Sequence, residues 1–381
     1  MTATLEKRRS MRRTLERLRT GTPPSEGLAL FTRDHRKLEA NVLDFLGNHS
    51  ATQRIGWVRG SYGAGKSHTL AAIREIATTA GFATSYVSLD GAGCAANHPQ
   101  RMIASLLQNI EIAGIQGGYA ALLQRLLGST ETARRFIVLV GSILSSSRNL
   151  DLQCNYLLSR LAEVKSNEEE AVGLIAEITG LLSGNTLSAS SATPNVRMQA
   201  YQLLRIVQEA VRLDGGAGLV LELDEVESIF TKLTNSRARR GAYRVLAALG
   251  NWKGLAHTKL LLAITPDGDR WLQDDLVAQL YWVDAIDEEP VVTFARAVSS
   301  EERLVFDCKP FREGDVRDLL SLVGAIHRDA YGGIHNVSTA SRAELLVDEG
   351  IQLAKGGLPP RHVLRHLVGG LDAIRYSAHD A

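Results

Sequence analysis

The stretch GSYGAGKSHTL, Gly60 to Leu70, constrains the fold more than any other part of the chain, because it follows the spacing G-x-x-x-x-G-K-S. Glycines at this spacing let consecutive backbone N–H groups turn toward one anion, and the positive dipole end of a following helix adds to the attraction. Such a loop needs a strand before it and a helix after it. RIGWVRG, Arg54 to Gly60, reads as that strand, and His68 to about Thr79 as that helix, closed by Gly81. FATSYVSLD, Phe82 to Asp90, follows as the next strand, so the segment reads as a βαβ unit. Gly60, Ser61, Tyr62, Gly63, Ala64, Gly65, Lys66, Ser67 and His68 form the candidate cradle. In such a loop Lys66 reaches the β- and γ-phosphates of a nucleotide, and the Ser67 hydroxyl binds Mg²⁺.

A second segment supplies the acids that this chemistry requires. GLVLELDEVESIF, Gly218 to Phe230, starts as a buried strand, since four of the five residues from Leu219 to Leu223 are apolar. Asp224 and Glu225 follow at its end, where an aspartate holds the magnesium shell and the next glutamate orients or deprotonates water. Acids at strand ends are often only solvated; beside a phosphate loop, the pair points to hydrolysis. KLLLAITPDG, Lys259 to Gly268, is another buried strand ending at Thr265. Two readings of Thr265 stand: a contact to water or the γ-phosphate, or the start of a turn before Pro266. RLVFDCKPF, Arg303 to Phe311, is a shorter strand, and from Glu313 the chain reads as helical. Arg361 follows a proline pair at a helix start, where a guanidinium can grip a phosphate bidentately or simply face solvent.

The remainder bounds the function. With a net charge of +1, nucleic-acid binding must rest on local patches. One such patch is the N-terminal run of Lys7, Arg8, Arg9, Arg12, Arg13, Arg17 and Arg19, with only Glu6 and Glu16 nearby. It suits either DNA phosphates or an amphipathic arm that packs Met11, Leu15 and Leu18 on a neighbour. Cys94, Cys154 and Cys308 are far apart and form no C-x-x-C pair, which speaks against a disulfide framework or zinc site. No apolar run approaches the roughly 18 residues of a membrane span, and the N-terminus lacks a signal-peptide core, so a cytoplasmic protein without membrane contact is expected.

The order of phosphate loop, acidic strand end, polar strand end and C-terminal Pro-Arg helix resembles an AAA+ ATPase of the origin-recognition and signalling branch. More narrowly, LRTGTPPSEGL, VRGSYGAGKSH, GFATSYVSLD, LELDEVESI and PPRHVLRHLVGGLD resemble the ATP-binding proteins of bacteriophage exclusion (BREX) defence systems. The resemblance implies an α/β AAA+ core with a parallel sheet, ATP and Mg²⁺ as cofactors, and a place in antiviral defence beside other defence-system proteins; DNA is expected as a partner through the basic patches. It implies sensor roles for Thr265 and Arg361. It also implies a homo-oligomer in which Arg237, Arg239, Arg240 or Arg244 completes a neighbour's site. The expected organisation is a basic arm over residues 1–30, an ATPase core over 31–290, and a C-terminal strand and helical lid over 291–381. Asp224 lies 158 positions after Lys66, so the helical region of about 99–213 is an insertion within the core. The competing class is a nucleotide-gated switch with little turnover; a small-molecule kinase is disfavoured by the adjacent Asp224–Glu225 pair.

Overall fold

The computed structural model describes residues 2–24, 26–48, 53–91, 96–127, 130–145, 194–280, 289–331 and 337–379, together with positions 170, 173 and 177. Cys94, Cys154, most of the expected loop Ser188 to Asn195 and most of the insertion beyond residue 145 lie outside these residues. The described elements run α1 (Thr2–Thr20), α2 (Leu28–Phe31), α3 (His35–Gly47), β1 (Ile55–Arg59), α4 (Lys66–Thr79), β2 (Phe82–Ser88), α5 (Pro99–Gln108) and β3 (Ile110–Glu111). They continue with α6 (Gly118–Leu127), α7 (Thr130–Ser145), α8 (Pro194–Leu213), β4 (Gly218–Asp224), α9 (Ser228–Lys232), α10 (Ser236–Asn251) and β5 (Thr258–Ile264). The last are α11 (Pro266–Leu280), α12 (Glu289–Ser299), β6 (Leu304–Asp307), α13 (Glu313–Tyr331), α14 (Val337–Lys355) and α15 (Pro360–His379).

One six-stranded sheet has the order β3-β2-β4-β5-β1-β6. β2 and β4 pair in parallel from Phe82↔Gly218 to Ser88↔Asp224, and β4 and β5 from Leu219↔Thr258 to Leu223↔Leu262. Every residue of β4 and β5 is buried, which accounts for their nearly unbroken apolar sequences: strands covered on both faces gain nothing from alternation. β3 joins β2 antiparallel at Thr84↔Glu111 and Ser85↔Ile110. Two residues are too few for a periodic signal, and for that reason this edge strand is invisible in the Leu-rich sequence around it.

The chain forms two compact units. The larger comprises Val42–Trp57 and Ile76–Val305. Its core gathers Leu219, Leu221 and Leu223 with Leu260, Leu262 and Ile264, and with Leu203 and Val207 of α8 and Tyr243 and Leu246 of α10. An ion pair braces it, in which the two terminal nitrogens of the Arg303 guanidinium donate to buried Asp269 at 2.7 and 2.6 Å while the same guanidinium covers the Trp57 ring.

The smaller unit comprises Met1–Asn41, Val58–Glu75 and Phe306–Ala381. Leu15 and Leu18 of α1 are fully buried in one core with Phe31, Val316, Leu319, Val323, Val363 and Leu367. Met11, Leu15 and Leu18 share one stripe of the helix, and that stripe packs on α13 and α15 of the same chain. Polar contacts fix the same seam: Arg19 donates to Asp372 at 2.7 Å, Arg12 donates to the Ala330 carbonyl, and the guanidinium groups of Arg12 and Arg375 both cover Tyr331. α1 ends in a Schellman turn, with Thr22 N–H on the Arg17 carbonyl, Gly21 N–H on that of Leu18, and Gly21 at φ 75°.

Candidate functional site

In the smaller unit the chain leaves β1 at Arg59 and enters the glycine loop. Gly63 and Gly65 take φ of 76° and 105°, a left-handed backbone that a side chain resists. The two reasons for glycine differ. A Cβ on Gly63 would lie 2.8 Å from Pro359 Cβ, whereas a Cβ on Gly65 would meet no atom within 4 Å. Gly65 is thus required by conformation, and the space beside it is open, as a cradle for an anion requires. α4 begins directly at Lys66, so the positive end of its dipole lies at the end of the glycine loop. Lys66 is buried, which is costly for a cation unless an anion accompanies it, while Ser67 is half-buried. Burial holds the His68 imidazole near a pKa of about 4, so it is neutral at pH 7. Thr32 gives its hydroxyl proton to the Leu28 carbonyl at 2.7 Å, so at 2.9 Å it accepts from His68 Nε2–H.

The proline pair places Arg361 on this loop. Pro360 opens α15, and Arg361 follows in its first turn. The Arg361 guanidinium lies 5.4 Å from the centre of the exposed Tyr62 ring and donates to its hydroxyl at 3.4 Å. Its stem crosses Gly21 so closely that a Cβ there would overlap Arg361 Cγ. Arg361 therefore belongs to the surroundings of the glycine loop, in contact with Tyr62, a residue of the cradle itself.

The larger unit carries the acids. Asp224 closes β4 and is 1% exposed. Its Oδ1 accepts the Glu225 N–H at 2.9 Å, and its Oδ2 accepts the Tyr86 hydroxyl at 3.0 Å. Glu225 has φ 57°, one of two non-glycine residues with positive φ among those described. Such a backbone costs a glutamate about 1 kcal/mol, and strain of this kind concentrates at functional sites. Tyr86 escapes a motif-based reading because a tyrosine in a strand is ordinary; its register opposite Glu222 is what brings it near Asp224. Thr265 performs the turn role, since its Oγ1 accepts from Gly268 N–H at 3.1 Å and caps α11. Its N–H faces Glu227 at 3.3 Å, and its hydroxyl proton is not used in the cap.

Of the four candidate arginines on α10, Arg239 is bound within its own chain. It forms a two-pronged pair with Asp275 at 2.9 and 3.2 Å and also donates to the Leu233 and Thr234 carbonyls. The Asp275 hydrogen bonds raise its pKa, and Tyr243 donates to the same carboxylate. Arg237 and Arg244 are exposed and Arg240 is half-buried.

Among the described residues no cluster of three or more His, Cys, Asp or Glu can hold a metal by itself. The buried Asp224 carboxylate is the kind of donor that Mg²⁺ takes, since this ion uses one or two carboxylates and completes its shell with water and substrate phosphates. Among the described residues no helix is long and apolar enough to cross a membrane.

A mostly parallel sheet whose strand β1 runs through a glycine loop into a helix beginning with Lys66 and Ser67 makes this an α/β protein with an architecture compatible with a P-loop ATPase. The family model of the BREX system ATP-binding proteins BrxC/D matches residues 6–134 and 162–380, and the chain belongs to this family. No curated protein matches it.

Proposed function

We propose that the protein is an AAA+ ATPase that binds ATP with Mg²⁺ and hydrolyses it to drive conformational or assembly changes in an antiphage defence complex. The observation that carries this reading is the left-handed turn at Gly63 and Gly65, opening without a break into the helix that starts with buried Lys66. The loop amides and Lys66 bind the phosphates, and Ser67 and Asp224 are the residues that hold Mg²⁺. When bound, Mg²⁺ neutralises charge on the β- and γ-phosphates. Glu225 takes the proton of the attacking water, Thr265 offers its hydroxyl as a donor, and Arg361 exchanges its contact with Tyr62 for the γ-phosphate. The family's printed description and the matched span support ATP and the defence setting.

Lys66→Ala is the direct test. A charge-assisted hydrogen bond is worth roughly 1.5–3 kcal/mol, so nucleotide affinity should fall about 10- to 100-fold. Equilibrium binding of a fluorescent ATP analogue measures it. Unchanged affinity in a folded variant would rule out the phosphate loop.

The same proposal includes DNA as a partner of the basic face of α1. Lys7, Arg8, Arg9 and Arg13 are exposed, whereas Arg12, Arg17 and Arg19 are bonded within the chain. Deleting the helix would strip Leu15 and Leu18 from their core, so neutral substitution of the four exposed cations is the cleaner experiment. The slope of log affinity against log salt should flatten by about 3 to 4 if each cation neutralises one phosphate. An unchanged slope would assign these charges to solvation alone.

A further inference from the structure

We infer that Tyr86 is a positioning residue for the Asp224 carboxylate, and through it for the metal-bound nucleotide. The inference rests on the proposed Mg²⁺ role of Asp224 and goes beyond it, since neither motif spacing nor family membership singles out Tyr86.

The sheet register is the starting point. Tyr86 pairs with Glu222 and Ser88 with Asp224, so Asp224 is the diagonal neighbour of Tyr86, two residues farther along β4. Only a long side chain crosses that diagonal, and the tyrosine hydroxyl does so to reach Asp224 Oδ2 at 3.0 Å. Further hydrogen bonds lock the ends of these strands together. Leu89 N–H donates to the Asp224 carbonyl at 2.9 Å, and Val226 N–H to that of Ala263 at 3.0 Å. The backbone on both sides of the carboxylate is therefore fixed, and its remaining freedom is rotation of the side chain.

That rotation matters because the carboxylate holds two things at once. Oδ1 closes the left-handed turn by accepting Glu225 N–H, while Oδ2 accepts from Tyr86. Turning the carboxylate away would cost both bonds, including the one to Glu225 N–H. Asp224 is almost fully buried, so the loss of this donor is felt more strongly than it would be at the surface, where water replaces it. Tyr86 accordingly fixes the angle at which the carboxylate meets a cation, the role that outer partners of metal ligands commonly play. The hydroxyl is the operative atom, because the ring can pack equally well without it.

Tyr86→Phe isolates that atom. The readout is Mn²⁺ affinity of the nucleotide-loaded protein, measured by electron paramagnetic resonance of free Mn²⁺, with nucleotide affinity in excess chelator measured alongside. Mn²⁺ affinity should weaken about 10-fold, the lower end for loss of such a partner, while metal-free nucleotide affinity stays at the wild-type value. A purely structural tyrosine would not separate the two. In an Asp224→Asn background, Tyr86→Phe should produce no further loss, because the carboxylate that it positions is already gone. Mn²⁺ affinity within about twofold of wild type, or losses that simply add in the double variant, would overturn the inference while leaving the ATP and Mg²⁺ reading intact. Wild-type nucleotide binding that is indifferent to Mn²⁺ would overturn both. Should Tyr86→Phe fail to fold, Tyr86→Trp, which keeps a ring donor in altered geometry, is to show the same selective loss of Mn²⁺ affinity.

Discussion

Glu225→Gln is expected to keep bound ATP and to lose hydrolysis by about 100-fold or more, the range for removing a general base. Glutamine preserves the length and shape of the side chain, so the change is confined to its ability to accept a proton. The backbone at this position supplies an independent control. Glu225 sits at φ 57°, a conformation that glycine adopts without penalty and a glutamate does not. Glu225→Gly should therefore unfold at or above the wild-type temperature while losing hydrolysis as fully as Glu225→Gln. That pairing separates a residue strained for chemistry from one that supports the fold. Multiple-turnover phosphate release and thermal unfolding measure the two effects. Wild-type turnover by Glu225→Gln would assign the base to another carboxylate, with Glu227 the first to test. Negligible turnover by the wild-type protein itself, with ATP still bound, would favour a nucleotide-gated switch.

What is legible in the sequence is local, and what is not depends on long-range contact. The phosphate loop shows itself because glycine spacing, the strand before it and the helix after it are all encoded within about 25 neighbouring residues. The observed β1 ends at Arg59 and α4 starts at Lys66, two residues ahead of the expected His68 because the lysine and serine belong to the first helical turn. β4 and β5 are legible for a different reason, since burial on both faces writes an apolar run into the sequence. The partner of α1 could not be read in this way. Its stripe of Met11, Leu15 and Leu18 is visible, but that it packs against Val316 and Val363 is a contact across some 300 residues. Periodicity reports which face is buried, not what buries it. Arg361 illustrates the same limit, because the proline pair foretells a helix start while Tyr62 as its contact appears only in the fold. Thr265 had two open roles, and the observed cap on Gly268 fills one of them without consuming the proton that the other would need.

The arginine that the AAA+ resemblance implies from a neighbouring subunit leads to the largest expected effect. An arginine that completes a neighbour's site contributes about 10³-fold or more to turnover, so its removal should nearly silence hydrolysis. Arg239 is a poor donor, because its guanidinium already spans Asp275 and two carbonyls. Arg239→Ala should instead lower stability by roughly 1–3 kcal/mol, as it leaves a partly buried carboxylate with Tyr243. Arg237, Arg240 and Arg244 remain as candidates, and single substitutions cannot separate a role in a neighbour's site from a defect within the chain. Mixing can. A Lys66→Ala chain lacks its own phosphate contact but presents intact arginines, and a chain substituted at the true arginine keeps an intact phosphate loop. Equal mixtures of the two inactive proteins should regain a substantial fraction of wild-type phosphate release, and wild-type activity per chain should rise with protein concentration, because the catalytic unit is then the interface. Rescue should appear with one of the three arginine variants and be absent with Glu225→Gln, whose defect lies in the same site that the loop serves. Turnover independent of concentration, with no rescue in any mixture, would leave Arg361 and Lys66 of the same chain as the cations that meet the γ-phosphate.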